Sequence, residues 1–425
     1  MREGTLKDYD IESLAGVMKS SPATVVLFGA GSLSKLTLYA LKALGIRVDY
    51  FYDNDEKKQK KFYCGVRVLS PKELSELSPD ARVFICNNYI SSALSTLEQM
   101  NFADLYASAT LLENTDFSAM GLERATEADP DFDHNPLEVR RIIKLHRSSL
   151  IADNTNRNIL DVKYIDVVVT ERCSMKCKDC ANLMQYYVDP KDSDLDLLLG
   201  SIDTLMKCID RVCEFRVLGG EPFVNRQLYK VINKLVSYDS ADSVVVYTNA
   251  TIIPKDENLS CLKHAKVKLD ITNYANVNES KKHDGLIAIL ESNSIAYVTH
   301  LATFWTDSGT IKYRGKTESE LVHMFENCCV GDVLSLLNGK LYRCPFSANA
   351  HNLNAIPFES EDIIDLPEES MDMSALKTKM MGMQGRKGKK GYLAACAYCG
   401  GRDYSTPYVP AGVQTDKPIP IESYK

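Results

Sequence analysis

The chain has 425 residues, a formal net charge of −7, 45% hydrophobic and 25% charged residues. That balance is globular, long enough for two or three domains, and excludes a disordered chain and a general affinity for nucleic acid. No run of about 18 apolar residues and no apolar leader after Met1 occur, so no membrane partner is expected, and thirteen cysteines in a chain expected to be cytoplasmic point to metal chemistry rather than disulfides.

The first elements read as α/β. Thr24 to Phe28 is a short apolar run, Gly29-Ala30-Gly31 follows it, and Leu33, Leu36, Leu38, Leu41 and Leu44 then mark a helix closed by Gly45. Val48 to Tyr52 reads as the next strand and ends at Asp53. Strand, glycine turn, helix, strand, acid is the order of a Rossmann βαβ unit, with Gly29 and Gly31 placed for a phosphate and Asp53 for a ribose hydroxyl. Ser34 stands where the fingerprint has its third small residue, and Ala81 to Cys86 is a further strand. With Gly65 to Pro71, this segment resembles the N-terminal Rossmann-like domains of sugar-modifying enzymes in surface-polysaccharide pathways. The alternative is a domain of the same fold that binds nothing and serves as a scaffold.

Asp129 to Pro136 has linker composition, and a helix over 137–150 is expected to lead into the second domain. Tyr164 to Val169 is a buried-type strand rich in β-branched residues. Directly after it come Cys173, Cys177 and Cys180, a C-x3-C-x2-C run. Three closely spaced thiolates suit three corners of a cubic iron–sulfur cluster and leave the fourth iron open for a ligand. A closed zinc site needs a fourth ligand, which this run lacks. After a helix over 194–209, a strand over 213–218 runs into Gly219-Gly220-Glu221-Pro222.

The cysteine run followed by Gly-Gly-Glu resembles the radical S-adenosylmethionine (SAM) enzymes. The resemblance implies a 4Fe–4S cluster on Cys173, Cys177 and Cys180, with SAM chelating the open iron. It implies reductive cleavage of SAM to a 5′-deoxyadenosyl radical, a reductant such as flavodoxin or ferredoxin, and contact of Gly219, Gly220 and Glu221 with the SAM amino group. Asp179 departs from the family, which usually places an aromatic residue there. The strand over 243–247 ends in Thr248-Asn249-Ala250-Thr251, similar to the family's Thr-Asn-Gly-Thr with Ala250 for glycine, and the strand over 267–271 ends in Thr272-Asn273-Tyr274. The resemblance makes Thr248, Asn249, Asp270 and Asn273 candidate SAM contacts; simple strand-end capping is the alternative. Residues 296–301 form a later strand.

Near the C-terminus stand Cys328-Cys329, then Asn338-Gly339, Cys344, and finally Cys396-x2-Cys399. Asn-Gly predicts a hairpin over 334–341 that brings the first cysteines toward Cys344, and four thiolates close a cluster. The spacing resembles the SPASM and twitch extensions of radical SAM enzymes, the one-cluster twitch form being the nearer. It implies a second, auxiliary 4Fe–4S cluster on Cys329, Cys344, Cys396 and Cys399, with Cys328 as the alternative to Cys329. A four-cysteine zinc site has the same spacing.

The expected fold is therefore α/β: a Rossmann-like domain over 1–115, a helical linker over 116–160, a partial (β/α)6 barrel over 161–325 and an iron–sulfur extension over 326–425. The expected activity is that of a radical SAM oxidoreductase or epimerase acting on a small molecule, a carbohydrate or nucleotide-linked sugar. A peptide maturase is the runner-up, and a non-catalytic zinc scaffold the reading from another class. His300, Arg314 and His351 are weak candidates for a substrate acid or base, Trp305 for the cavity wall, and Arg386 to Lys390 is a basic run read as a solvated loop. Cys64, Cys86, Cys208, Cys213 and Cys261 read as buried structural thiols.

Overall fold

The computed structural model describes residues 6–20, 23–117, 136–153, 159–274, 282–366, 372–383, 391–402 and 406–421. The basic run over 386–390 and the linker residues 129–135 lie outside them. The chain divides into two units, Met1–Arg157 and Asn158–Lys425.

The first unit is built from β1 (Leu6–Lys7), α1 (Ile11–Ser20), β2 (Val25–Phe28), α2 (Ser32–Ala43), β3 (Tyr50–Tyr52), β4 (Phe62–Tyr63), β5 (Val66–Leu69), α3 (Pro71–Ser75), β6 (Arg82–Ile85), α4 (Ile90–Gln99), β7 (Asp104–Ala107), α5 (Ala109–Glu113) and α6 (Pro136–Asp153). The sheet order is β1-β7-β6-β2-β3-β5-β4, parallel except at β4. Strand alternation sends Val25, Leu27, Phe51 and Phe84 into one apolar layer and Val26, Phe28, Val83 and Ile85 into the other, so both faces are covered by helices. The order reverses at β2, which puts the glycine turn at a topological switch point. The helix expected to lead into the second domain belongs instead to this unit: Val139 and Ile143 of α6 pack with Leu36, Leu41 and Leu111.

The second unit starts with β8 (Asp161–Thr170), α7 (Leu195–Met206), β9 (Arg211–Gly219), α8 (Leu228–Val236), β10 (Val244–Thr248), α9 (Asp256–Ser260), β11 (Val267–Asn273), α10 (Lys282–Ser292) and β12 (Tyr297–Leu301). It continues with β13 (Phe304–Thr306), α11 (Glu318–Glu326), β14 (Val333–Leu337), β15 (Lys340–Tyr342), α12 (Pro345–Asn352), β16 (Ile363–Asp365), α13 (Met373–Met383) and β17 (Tyr408–Pro410). One sheet runs β12-β11-β10-β9-β8-β14-β15-β16. The strands from β12 through β14 are mutually parallel. Leu198, Ile202 and Leu205 of α7, Val231 and Leu235 of α8 and Leu286 of α10 bury one face of it. Asp194 starts α7 by accepting from the Leu197 N–H at 2.9 Å.

The fold is the expected α/β arrangement with a partial barrel, but the sixth parallel strand has an unexpected source. It is β14, the first strand of the hairpin that turns at Asn338 and Gly339 with φ of 48° and 76°. Pairing with β14 satisfies the free edge of β8, whose backbone groups would otherwise lack partners. Residues 161–325 and 326–425, expected as separate domains, therefore share a sheet.

Candidate functional site

The loop after β8 carries Cys173, Cys177 and Cys180, and the turn after β9 carries Gly219-Gly220-Glu221. The register of β8 and β9 brings Thr170 beside Gly219. The turn is then bonded to the loop: Gly220 N–H donates to the Thr170 carbonyl at 3.0 Å and Glu221 N–H to the Arg172 carbonyl at 2.9 Å. A Cβ on Gly219 would lie 2.1 Å from the Thr170 oxygen, and one on Gly220 would lie 2.3 Å from the Arg172 oxygen and 2.7 Å from the Cys173 Cβ. Both glycines are thus required by the approach of the cysteine loop itself.

The loop is also held from the C-terminal side. Gln414 accepts from Lys176 N–H at 2.7 Å, and its amide lies 3.3 Å from Cys177 Sγ. Lys178 N–H donates to the Val413 carbonyl, and Thr415 N–H to the Lys176 carbonyl. Gly309 packs on the backbone of Asp179 and accepts from the Gln185 amide at 2.6 Å. Gln414 and Gly309 carry no local signal of this role, because only the folded chain brings them to the loop.

No family model matches the chain. The chain is 26% identical over 247 residues to a GTP 3′,8-cyclase of Helicobacter pylori, covering 55% of this chain and 68% of that protein. It is 27% identical over 157 residues to the GTP 3′,8-cyclase of Clostridium acetobutylicum, covering 34% of this chain and 47%, about half, of the relative's length. These relatives are radical SAM enzymes. The chain is similar to these radical SAM enzymes over part of its length. Among solved structures, BtrN in complex with AdoMet and 2-DOIA aligns with a TM-score of 0.38 at 16% identity, over 61% of this chain and 97% of that one. The structure of anSMEcpe with bound AdoMet aligns with a TM-score of 0.38 at 10% identity, over 62% of this chain and 93% of that one.

Cys173, Cys177 and Cys180 form a coupled donor set. Burial pushes all three thiols up, Cys177 to about 11; neighbouring charges raise Cys173 and Cys177 further, while backbone N–H groups lower Cys173 and Cys180, the Gln414 amide lowers Cys177 and the Arg402 charge lowers Cys180. Mutually repelling thiolates in a dry loop suit a cationic iron–sulfur centre. Among the described residues no three His, Cys, Asp or Glu side chains stand close enough to hold a metal ion as placed. A cubane asks for wider spacing than one ion, since each thiolate takes a different iron. Three buried thiols on one loop are nevertheless the donor type that a 4Fe–4S cluster takes.

Glu221, expected at the SAM amino group, is bonded within the protein. Glu221 is fully buried, and its carboxylate accepts from the Thr248 hydroxyl at 2.9 and 3.0 Å, Asn249 N–H at 2.8 Å and Phe223 N–H at 3.2 Å. It ties the end of β9 to the end of β10. Burial raises this carboxyl to about 7, against the lowering effect of those donors. Asn249 is likewise engaged, donating to Ser174 Oγ at 3.2 Å and accepting from Thr251 N–H at 3.0 Å. Ala250, where the family has glycine, sits in the left-handed region with φ 57°. On β11, Asp270 lies 3.6 Å from the His300 ring, whose far nitrogen is 3.2 Å from Thr272 Oγ1. Asn273 stands at the end of the same strand, half-buried. The next residue, Tyr274, was not singled out by its sequence context. Burial raises its phenol, as do the charges of Cys177, Cys180, Cys173 and Glu221, so it belongs to the site. Trp305 meets it edge-on at 5.9 Å.

Arg314 and His351 stand elsewhere. Arg314 donates to the Thr310 carbonyl at 3.3 Å and lies against Gly400, beside the second cysteine group. His351 is packed between Tyr342, stacked at 5.9 Å, and Phe358, and burial lowers its pKa.

The second group corrects the expected ligand set. Cys328, Cys344, Cys396 and Cys399 line one pocket with Phe325 and Arg402. Cys344 is raised by burial and by the charges of Cys396, Cys328 and Cys399. Cys329 is exposed, and its N–H donates to the Arg402 carbonyl at 2.9 Å. The turn after α11 points the first cysteine of the pair inward and the second outward, a choice that spacing alone left open.

In the first unit, Asp53 is engaged by its own chain. It accepts from Ala30 N–H at 2.8 Å, Asp55 N–H at 2.9 Å and the Lys58 ammonium at 3.4 Å, while Lys58 also donates to the Ala30 carbonyl at 2.8 Å. Gly29 has φ 118° and a Cβ there would meet the Cys86 carbonyl at 2.9 Å. Gly31 has open space beside it. The acid thus closes the glycine turn. Among the described residues no helix is long and apolar enough to cross a membrane.

Proposed function

We propose that this chain is a radical SAM enzyme that abstracts hydrogen from a carbohydrate or nucleotide-linked sugar, for alcohol oxidation or epimerisation. The observation that carries the radical chemistry is the Gly-Gly-Glu turn bonded to the cysteine loop at the carboxyl ends of β8 and β9. When bound, the 4Fe–4S cluster supplies the electron that cleaves SAM and so generates the abstracting radical. Cys173, Cys177 and Cys180 hold that cluster, and Gly219, Gly220, Asp270 and Asn273 contact SAM. Glu221, Thr248 and Asn249 shape the strand ends beneath it. Cys328, Cys344, Cys396 and Cys399 would hold an auxiliary 4Fe–4S cluster, which would supply an electron acceptor for an oxidation. A flavodoxin or ferredoxin serves as reductant.

Support for a sugar comes from the doubly wound first unit, which is of nucleotide-binding type, whereas peptide-modifying relatives often carry a winged-helix leader-binding domain. Asp53 is bonded within the glycine turn, so the support is the fold type of that unit and not an open nucleotide site. A second reading follows from the sequence relatives named GTP 3′,8-cyclase, and makes GTP the substrate. The test is anaerobic incubation of the reconstituted, reduced chain with SAM and, separately, nucleotide sugars, GTP and peptides. A nucleotide sugar is expected to raise 5′-deoxyadenosine above the uncoupled background. Stimulation by GTP or a peptide alone refutes the sugar assignment, and a colourless, zinc-loaded protein after anaerobic purification refutes the enzyme.

A further inference from the structure

The inward face of the second unit's sheet carries a row of mostly polar residues, below an apolar row of Val168, Leu218 and Leu337. Ser335, Asp166, Arg216, Val245 and Lys268 stand side by side across β14, β8, β9, β10 and β11. Their neighbours one residue back, Leu334, Ile165, Phe215, Val244 and Val267, all enter the core beneath the helices. Alternation therefore turns Asp166 and Arg216 into the concave side.

There they form a constructed group. Arg216 Nε lies 3.1 Å from Asp166 Oδ1, with side-chain exposures of 21% and 1%. The N–H is not aimed at that oxygen, and both atoms are without a hydrogen bond, so the attraction is electrostatic. Ser335 Oγ donates to the other Asp166 oxygen at 3.3 Å. The guanidinium carbon stands 5.0 Å from the Tyr247 ring and 5.5 Å from the Tyr164 ring. Tyr247 OH in turn donates to Glu214, which is fully buried, at 3.4 Å. No hydrogen bond from the terminal nitrogens of Arg216 is present among the described residues. Such a pair is a poor device for stability, because desolvating two charges offsets most of their attraction. An apolar pair would serve the fold as well, so the placement asks for a functional reason.

The charge balance says which ligand. Asp166, Glu214 and Asp270 stand on this face against Arg216, Lys268 and the Arg402 charge felt by Asp166, so the charges balance and the group offers no excess positive charge to a phosphate. It offers a forked donor, nearby acceptors and two aromatic faces, the chemistry that suits a neutral ring bearing adjacent hydroxyls. Arg216 is three residues before Gly219, roughly 10 Å along the strand. We propose that Arg216, held by Asp166 between Tyr164 and Tyr247, binds a pair of adjacent hydroxyl groups on the substrate's sugar ring. This rests on the sugar reading above and adds the residue that recognises the ring.

The test is anaerobic titration calorimetry of the reconstituted full chain with UDP-glucose, UDP-N-acetylglucosamine and GDP-mannose. Arg216→Lys keeps the charge beside Asp166 and removes the fork. Iron content and thermal melting check its fold, and Tyr247→Leu, which leaves the ion pair in place, is read if it melts. At least one probe is expected to bind, about tenfold more weakly in either variant. Equal affinity in wild type and variants overturns the role of Arg216 and leaves the sugar reading standing. Binding of none of the probes by the wild type overturns the sugar reading, and this site with it. Competition by inorganic phosphate that disappears in Arg216→Lys makes the site an anion site and overturns the hydroxyl assignment.

Discussion

Replacing Glu221 by Gln tests the reading of that residue as a buried tie. Its carboxyl is raised by burial from 4.5 to about 7. The folded chain therefore holds this proton where the unfolded chain has lost it, and stability falls as pH rises from 4.5 to 7. The contribution is complete below the unfolded value and lost as pH passes the folded one. At about 1.4 kcal/mol per pH unit, the shift corresponds to about 3 kcal/mol. Glutamine cannot titrate, and its amide N–H must oppose Phe223 N–H or Asn249 N–H. That adds a pH-independent cost of about 1–3 kcal/mol. Anaerobic urea unfolding at several pH values across that window gives the comparison. The wild type is expected to lose about 3 kcal/mol more than Glu221→Gln as pH rises through it. Parallel profiles would mean that Glu221 is already ionised in the folded chain, and the burial argument would fail.

Gly220→Ala should lower iron bound at the first cysteine group and the melting temperature together, since the added Cβ would meet Arg172 and Cys173 at 2.3 and 2.7 Å; normal iron content would contradict the packing. Ala250→Gly relieves a φ of 57° and is expected to stabilise the chain by up to about 1 kcal/mol in the same unfolding assay, whereas a loss would mean the methyl group packs usefully. Cys328→Ser should reduce iron per chain by about half while Cys329→Ser leaves it unchanged, because only Cys328 lines the pocket with the other three; the reverse result restores Cys329.

Much of the site was legible as short-range pattern. The apolar runs before Gly29, Cys173 and Gly219 are strands because β-branched and apolar residues cluster there, and each chemical motif falls at a strand's carboxyl end. The Asn338-Gly339 turn was equally local, since its two left-handed residues need those side chains. Tyr274 and Gln414 were not legible, because nothing in their neighbourhood distinguishes them until the fold places them beside the cysteines.

The sequence by itself determined the chemistry: three thiols at C-x3-C-x2-C, a Gly-Gly-Glu turn at a strand end, and a second set of thiols beyond a hairpin. These are fixed by spacing along the chain, which covalent geometry preserves. Tertiary structure alone decided which of Cys328 and Cys329 faces its partners, that Glu221 bonds Thr248 and Asn249, and that β14 completes the row of parallel strands. It also decided that Asp166 and Arg216 meet on the inward face. Each of these depends on which strands lie side by side and in what register, and a register between distant strands is set by the packing of the whole sheet.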